Sequence, residues 1–204
     1  MAIVVQDIQS SSGFGGESHS DTVTPAGNYR VVVAVLVILR TGALTNTAIT
    51  LGGNSADWSN ETRVDAGNDY VTNISVFINP STSELTANAS WTGVASSTYS
   101  RFALVALSGV DQSNPVAASD ETDGGTTYTN VVETSVAIGG ASFSAGALGA
   151  DQTLIVGDAD GKIWYTDPSE AADGNVTATH SGSAEQSVLI ARRVSFGSSQ
   201  VIIF

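Results

Sequence analysis

The chain has 204 residues, no cysteine and a formal net charge of −13 from 20 acidic and 7 basic residues. The lack of cysteine excludes disulfides and thiolate metal sites, and the lack of a basic surface excludes nucleic acid and anionic membranes as expected partners. Thr, Ser, Val and Gly dominate and Lys162 is the single lysine, a composition that favours strands over helices.

The first predicted element is a short strand over Ile3–Ile8. The Ser- and Gly-rich stretch after it predicts a flexible loop in which His19 is solvated. No cationic segment precedes an apolar one in these residues, so we expect no secretory signal.

The most strongly predicted element is a run of nine apolar residues, Val31–Leu39. Most of them are β-branched, which favours a strand. Polar and apolar residues do not alternate, so both faces of this strand must be covered. The run is far shorter than the ~20 apolar residues of a membrane-spanning helix. It is therefore predicted to be a central core strand.

The later elements read as further strands separated by turns. Val71–Asn79 alternates in polarity and stops at Pro80, and Phe102–Leu107 is a second apolar run. Gly139-Gly140 is expected to follow a strand that ends at Ile138. Other short strands are predicted at Ala48–Leu51, Leu85–Trp91, Thr153–Val156, Ile163–Tyr165, Asn175–His180, Ser187–Val194 and Gln200–Phe204. Together they predict one all-β domain over residues 1–204, an antiparallel β-sandwich or jelly roll of two sheets.

Catalytic chemistry has few candidate residues. Only His19 and His180 could act as bases beside a nucleophile, and His180 is expected at the edge of the core. Neither a GxSxG nor an HExxH motif is present. We therefore expect no enzymatic activity and no cofactor.

Acidic residues cluster in two predicted turns, where carboxylates usually accept hydrogen bonds from their own backbone. The clusters are Asp120, Glu121 and Asp123, and Asp158 and Asp160. Calcium bound by either cluster is an alternative, because calcium prefers carboxylate oxygens. The second cluster departs from an EF-hand loop, since its glycine comes two positions early and a lysine follows it.

Sugar binding by a flat aromatic face is a further alternative. Trp58 and Trp164 are the candidates, since each lies beside polar residues. Trp91 lies on a face patterned for the core and is expected to be buried.

Four segments carry a resemblance to a known family: Asn28–Val33, Ile49–Gly53, Ile78–Pro80 and Ser108–Pro115, the last with an SGVDQxxP pattern. In this order they resemble the small jelly-roll-like β-sandwich domains of bacteriophage virion proteins and bacterial surface proteins. The likeness is good over residues 25–115 and looser elsewhere. It implies a structural, adhesive or carbohydrate-associated role and brings no catalytic residues.

From this resemblance we expect a virion protein that is assembled in the host cytoplasm. A capsid decoration (cement) protein or a head or tail fibre module is the first interpretation, and a carbohydrate-binding module for attachment to a host glycan is the alternative. The expected partners are the major capsid protein or another virion protein, and further copies of the chain, with a trimer favoured. Apolar strands at both ends are the expected assembly edges. Their residues are Ile3, Val5, Val201 and Ile203.

Overall fold

The computed structural model describes residues 2–14, 18–41, 44–65, 68–93, 98–121, 126–129, 135–142, 147–149, 152–158, 160–166, 175–178 and 184–191. These residues form sixteen strands. Among them there is no helix of the length and apolar character needed to cross a membrane.

A five-stranded antiparallel sheet, here called the central sheet, lies at the middle of the molecule. In spatial order its strands are β1 (Val4–Phe14), β9 (Thr98–Ser108), β3 (Val31–Thr41), β7 (Asn68–Ile78) and β6 (Trp58–Asp65). The apolar run lies in β3, and Val35 at its centre stands opposite Ile74 of β7 and Ala103 of β9.

Two further sheets cover the faces of the central sheet. The front sheet has the order β2 (Ser18–Val23), β8 (Leu85–Gly93), β4 (Leu44–Leu51) and β5 (Asn54–Ser55). The back sheet has the order β10 (Val116–Asp120), β16 (Ala184–Ile190), β12 (Val136–Ser142), β14 (Gly161–Thr166) and β13 (Gln152–Asp158). An outer pair, β11 (Thr126–Thr129) and β15 (Asn175–Ala178), packs on the far side of the back sheet.

The core lies on both faces of β3, as the unbroken apolar run predicts. Every side chain from Val31 to Ile38 is at most 1% exposed. Alternate residues such as Leu36 pack with the front sheet, including Trp91. The residues between them, such as Val35, pack with Ile138 of the back sheet. The predicted burial of Trp91 is confirmed.

The prediction of an all-β antiparallel sandwich is confirmed, whereas the predicted number of sheets was too small. Residues 4–108 form the central and front sheets, and residues 116–190 form the back sheet and the outer pair. The second group of strands covers the face of β3 that a two-sheet sandwich would leave in water. Jelly-roll connectivity stays a prediction.

Two local predictions were wrong. The supposed loop after Ile8 is largely strand, because Ser10–Phe14 continues β1 and pairs with residues 99–103 of β9. Gly139-Gly140 does not follow a strand but lies inside β12. A side chain at either glycine would clash with its neighbours. A Cβ at Gly139 would lie 2.5 Å from the Trp164 ring, and a Cβ at Gly140 would lie 2.7 Å from Val37.

Candidate functional site

The loops at one end of the central strands are tied together by Arg30. Its Nε donates to the Pro80 carbonyl at 2.9 Å, and its Nη1 donates to the Gly27 carbonyl at 2.7 Å. Its Nη2 donates to Asn79 Oδ1 at 3.2 Å. The guanidinium therefore holds the loop before β3 against the loop after β7.

The Ser108–Pro115 segment joins the same cluster through its backbone and Gln112. Gln112 Nε2 donates to the Arg30 carbonyl at 3.2 Å and to the Val110 carbonyl at 3.4 Å. Gly109 N donates to the Asn28 carbonyl at 3.0 Å. The buried Gln112 Oε1 has no hydrogen-bond partner. Three of the four segments behind the family resemblance thus meet in one hydrogen-bonded cluster.

Backbone strain is concentrated in this cluster. Tyr29 and Asn79 have positive φ values of 56° and 49°, and no other described non-glycine residue does. Such conformations cost about 1–3 kcal/mol and occur often at functional sites. Gly109 also has a positive φ, and a Cβ there would lie 2.2 Å from the Ala2 carbonyl oxygen. The glycine of the SGVDQ pattern therefore makes room for the backbone of Ala2.

Two open grooves flank Asn79, and we call them the first and second Asn79 grooves. The first has a volume of about 500 Å³ and the second about 710 Å³. The first has a buried or half-buried apolar floor and an exposed polar rim. The floor is Leu51, Phe77, Ile78, Pro80 and Leu85, and the rim is Asn54, Ser55, Asp57, Asn79 and Ser81. The second is lined by Asn28, Tyr29, Arg30, Ile78, Asn79 and Gln112.

His19 is buried, so the expectation of a solvated loop histidine was wrong. Ser11 Oγ donates to Asp21 Oδ2 at 2.5 Å and lies 2.9 Å from His19 Nδ1. Because Ser11 gives its hydroxyl proton to Asp21, it accepts from Nδ1–H, which leaves Nε2 to accept from Ser100 Oγ at 2.8 Å. The ring also stacks on Phe102, with centroids 5.9 Å apart.

Ser100 Oγ donates its hydrogen bond to His19 Nε2, as a catalytic serine does to the histidine that acts as its base. Ser100 is only 2% exposed, however, and Gly13 lies over both side chains. Substrate cannot reach the hydroxyl, so the arrangement is a polar link between β1, β2 and β9. The second predicted histidine, His180, lies outside the described residues.

Stability should fall as His19 becomes protonated. Burial lowers the pKa of His19 below its ordinary value of 6.5, against a raising effect of Asp21 and with a smaller lowering effect of Arg101. The unfolded chain then binds the proton more readily than the folded chain, so this contribution is complete above about pH 6.5 and is lost at lower pH. We expect a lower urea midpoint at pH 5.5 than at pH 7.5.

The matched variant for this measurement is His19→Gln, because an amide can keep one donor and one acceptor at the same place. The pH effect between 5.5 and 7.5 should shrink in the variant. An unchanged effect would assign the pH dependence to carboxylates elsewhere in the chain.

The predicted sugar-stacking tryptophans do not form a platform. Trp164 is 0% exposed, since the outer pair covers it with Tyr128 and Val176. Its indole therefore cannot meet a sugar, and that prediction was wrong. Trp58 is half-buried and packs on the core between the central and back sheets.

Of the two predicted acidic turns, the one at Asp158 carries ordinary turn hydrogen bonds, whereas Asp120 ends strand β10 and Glu121 accepts from Asn60 Nδ2. Asp158 Oδ1 accepts from Asp160 N at 3.0 Å, and Asp158 Oδ2 accepts from Arg101 Nη2 at 2.9 Å. The backbone N–H of Asp160, with smaller help from Arg101, holds the pKa of Asp158 below its usual range. Asp123 lies outside the described residues. No grouping of three His, Asp or Glu side chains with metal-ligating geometry occurs in the described part of the chain.

Three strands that end their sheets, as far as the described residues go, lie on one side of the molecule. β2, β1 and β13 are the terminal strands of the front, central and back sheets, and β1 packs against both others. We call this side the edge wall. All the large exposed apolar side chains of the described residues lie on β1, its partner β9 or β13. They are Val4, Phe14, Tyr99 and Leu154.

None of the residues predicted as assembly edges is among the four large exposed apolar side chains. Ile3 is buried in the core and Val5 is half-buried, so Ile3 offers no surface to a neighbour. Val201 and Ile203 lie outside the described residues. Phe14 is 66% exposed, and its ring meets Tyr99 edge-on, with centroids 4.9 Å apart and planes at 62°. An exposed aromatic pair thus lies at the far end of β1.

Comparison with protein-family models, with curated proteins and with solved structures finds no match to this chain.

Proposed function

We propose that this chain is a non-enzymatic structural protein of a bacteriophage virion, a capsid decoration protein or a head or tail fibre module. The observation that carries the proposal is the edge wall. It presents three adjacent strand edges together with exposed apolar side chains, and such edges are templates for pairing with another chain. The sequence resemblance over residues 25–115 supports the same assignment.

The charge of the protein fits the surface of a particle. A net charge of −13 keeps free copies apart in solution and disfavours random aggregation. β1 carries one charged residue, Asp7, and no lysine or proline that would block pairing. The edge wall therefore carries separate exposed apolar side chains, Val4, Phe14 and Leu154, among polar residues of an anionic protein, a combination suited to ordered contact with a shell.

The proposed partners are the major capsid protein or another virion protein, and further copies of this chain. Closed symmetry covers such edges without leaving one free, and a trimer around a capsid axis is the proposed state. The apolar segment Val201–Phe204 is a proposed second contact, although it lies outside the described residues. The protein is proposed to work in the virion after assembly in the host cytoplasm, without nucleic acid or membrane as partners.

Charges placed on the edge wall should weaken assembly without unfolding the protein. We expect Phe14→Asp combined with Leu154→Asp to reduce self-association, or binding to particles that lack the protein, at least tenfold. The physical reason is that both side chains leave water when the wall is covered, and a carboxylate resists that transfer. Light scattering after size exclusion and sedimentation with particles measure the two associations.

The matched control is Asn46→Asp combined with Ala48→Asp on the exposed face of β4, which adds the same charge two strands away from β2. Its association should equal that of the unmodified protein. Electron microscopy of particles should place the protein on the shell or tail. A native chain that stays monomeric at high concentration and never co-purifies with particles would refute the proposal.

A further inference from the structure

We propose that the two Asn79 grooves form a binding site for a neutral glycan, with one sugar ring seated over the apolar floor of the first groove. This site is separate from the edge wall, so it does not depend on the proposed assembly role. Its location also differs from the tryptophan platform expected from the sequence.

The first groove has the two-sided character that a sugar ring requires. A sugar presents C–H groups on its faces and hydroxyls around its edge, so it fits an apolar surface bordered by amides and carboxylates. The half-buried Ile78 and Leu85 contribute the accessible part of such a surface, and Asn54 and Asp57 stand on its border. The volume of about 500 Å³ lies within the range of ligand pockets, roughly 300–1,000 Å³.

The polar groups of the rim are held in place by hydrogen bonds within the protein, and each keeps a donor or an acceptor for a ligand. Asp57 Oδ2 accepts from Ile78 N at 2.7 Å, which fixes the carboxylate and leaves Oδ1 as a further acceptor. Asn79 Oδ1 accepts from Arg30, which orients the amide and leaves the Nδ2 hydrogens as donors. Neighbouring hydroxyls of a sugar can each donate and accept, so they match a rim that offers both.

The second groove extends the site beyond one sugar. It shares Ile78 and Asn79 with the first groove and adds the amide of Asn28 and the ring of Tyr29. Gln112 lines it, and Gln112 Oε1 is a buried acceptor without a donor while Nε2 is fixed by two carbonyls. A hydroxyl of the ligand would supply the missing donor after a small shift of the side chain. This acceptor suits a ligand rich in hydroxyls.

Charge favours a neutral glycan over an acidic one. Asp57 stands on the rim and the whole chain carries −13, so an anionic sugar is repelled. Arg30 directs three of its five N–H groups to oxygens of the protein itself. Its charge serves mainly to hold the loops together, and the strained Tyr29 and Asn79 are kept in place by these bonds.

The test uses soluble oligosaccharides on the isotope-labelled full chain. Neutral probes are a maltodextrin, a cello-oligosaccharide, a galacto-oligosaccharide and a chito-oligosaccharide, and the acidic probe is an oligogalacturonate, each at up to 10 mM. We expect at least one neutral probe to shift the amide resonances of Asn54, Ser55 and Asn79 in a saturable way. No shift with any neutral probe, or a stronger response to the acidic probe, would overturn the assignment.

Two variants and a control identify the site. Asn79→Gly combined with Asn54→Ala removes both amides, and glycine suits the positive φ at Asn79. Binding should weaken at least tenfold, while the melting temperature should change little because the loss of the hydrogen bond from Arg30 is offset by relief of the positive φ. Asp57→Asn retains an oxygen that can accept from Ile78 N, and it serves as the second variant if the first is unstable. Asn88→Ala, on the exposed face of β8, should bind like the unmodified chain. Equal binding by all variants would place the glycan elsewhere and refute the proposal.

Discussion

Val35→Asp and Leu36→Asp should each prevent the chain from folding. The two residues are neighbours on β3, and their side chains point to opposite faces of the central sheet, Val35 toward the back sheet and Leu36 toward the front sheet. Both are fully buried. An unpaired buried charge costs several kcal/mol, which is comparable to the total stability of about 5–15 kcal/mol for a typical domain.

Circular dichroism and size exclusion measure this outcome directly, with Thr86→Asp as a control for a charge on an exposed strand position. The pair tests the layer arrangement as well as the core. In a sandwich of only two sheets, one of two neighbouring positions on a strand would face water and would tolerate aspartate. Normal folding of either variant would contradict the three stacked sheets.

Gly139→Ala should destabilise the protein by about 1–3 kcal/mol, the usual range for overfilling a packed core. The new methyl group would lie 2.5 Å from Trp164 Cζ2 and 2.7 Å from the Gln186 carbonyl oxygen. The carbonyl belongs to a strand hydrogen-bonded to β12, so it cannot move aside without disturbing the sheet. Urea denaturation measures the change, and Ser119→Ala on the exposed face of β10 in the same sheet is the control.

A double variant separates the clash from any intrinsic effect of alanine. Trp164→Leu removes the indole ring, so Gly139→Ala should cost less in that background, and the difference is the coupling free energy between the two positions. Equal costs in both backgrounds would show that the Trp164 contact is not the cause.

The sequence predicted β3 well because its evidence was local. Val31–Leu39 shows no alternation, and that pattern requires cover on both faces whatever the rest of the chain does. A strand covered on both faces already implied a third layer of structure. The strands of the back sheet, which form that layer, are short, and local patterns did not indicate which sheet they join.

Misread positions share a non-local cause. Gly139-Gly140 has the composition of a turn, and only Trp164 and Val37, distant in sequence, explain why glycine lies inside a strand. Trp164 stands among polar neighbours and looked accessible, but the outer pair covers it. His19 sits in a sequence typical of loops, and its burial depends on Ser100, 81 residues away.

The sequence indicated the residues of the candidate glycan site but not that they meet in one place. Arg30, Asn79 and Gln112 all lie in the segments that carry the family resemblance, so their importance for the fold was indicated. Their convergence depends on the order β9-β3-β7 in the central sheet, which places the ends of those strands side by side. Strand order is set by tertiary pairing, and no single segment contains it.

The pairing of β1 also constrains how the protein can be synthesised. Val4 stands opposite Ser108, so β1 must wait during synthesis for a partner made about a hundred residues later. At ~5–20 residues per second that interval is about 5–20 s. Throughout it the nascent chain carries an unpaired strand, which other growing chains on the same messenger could capture. A slower stretch of translation after Ser108, or a chaperone bound to the nascent chain, would favour pairing within one molecule over exchange between molecules.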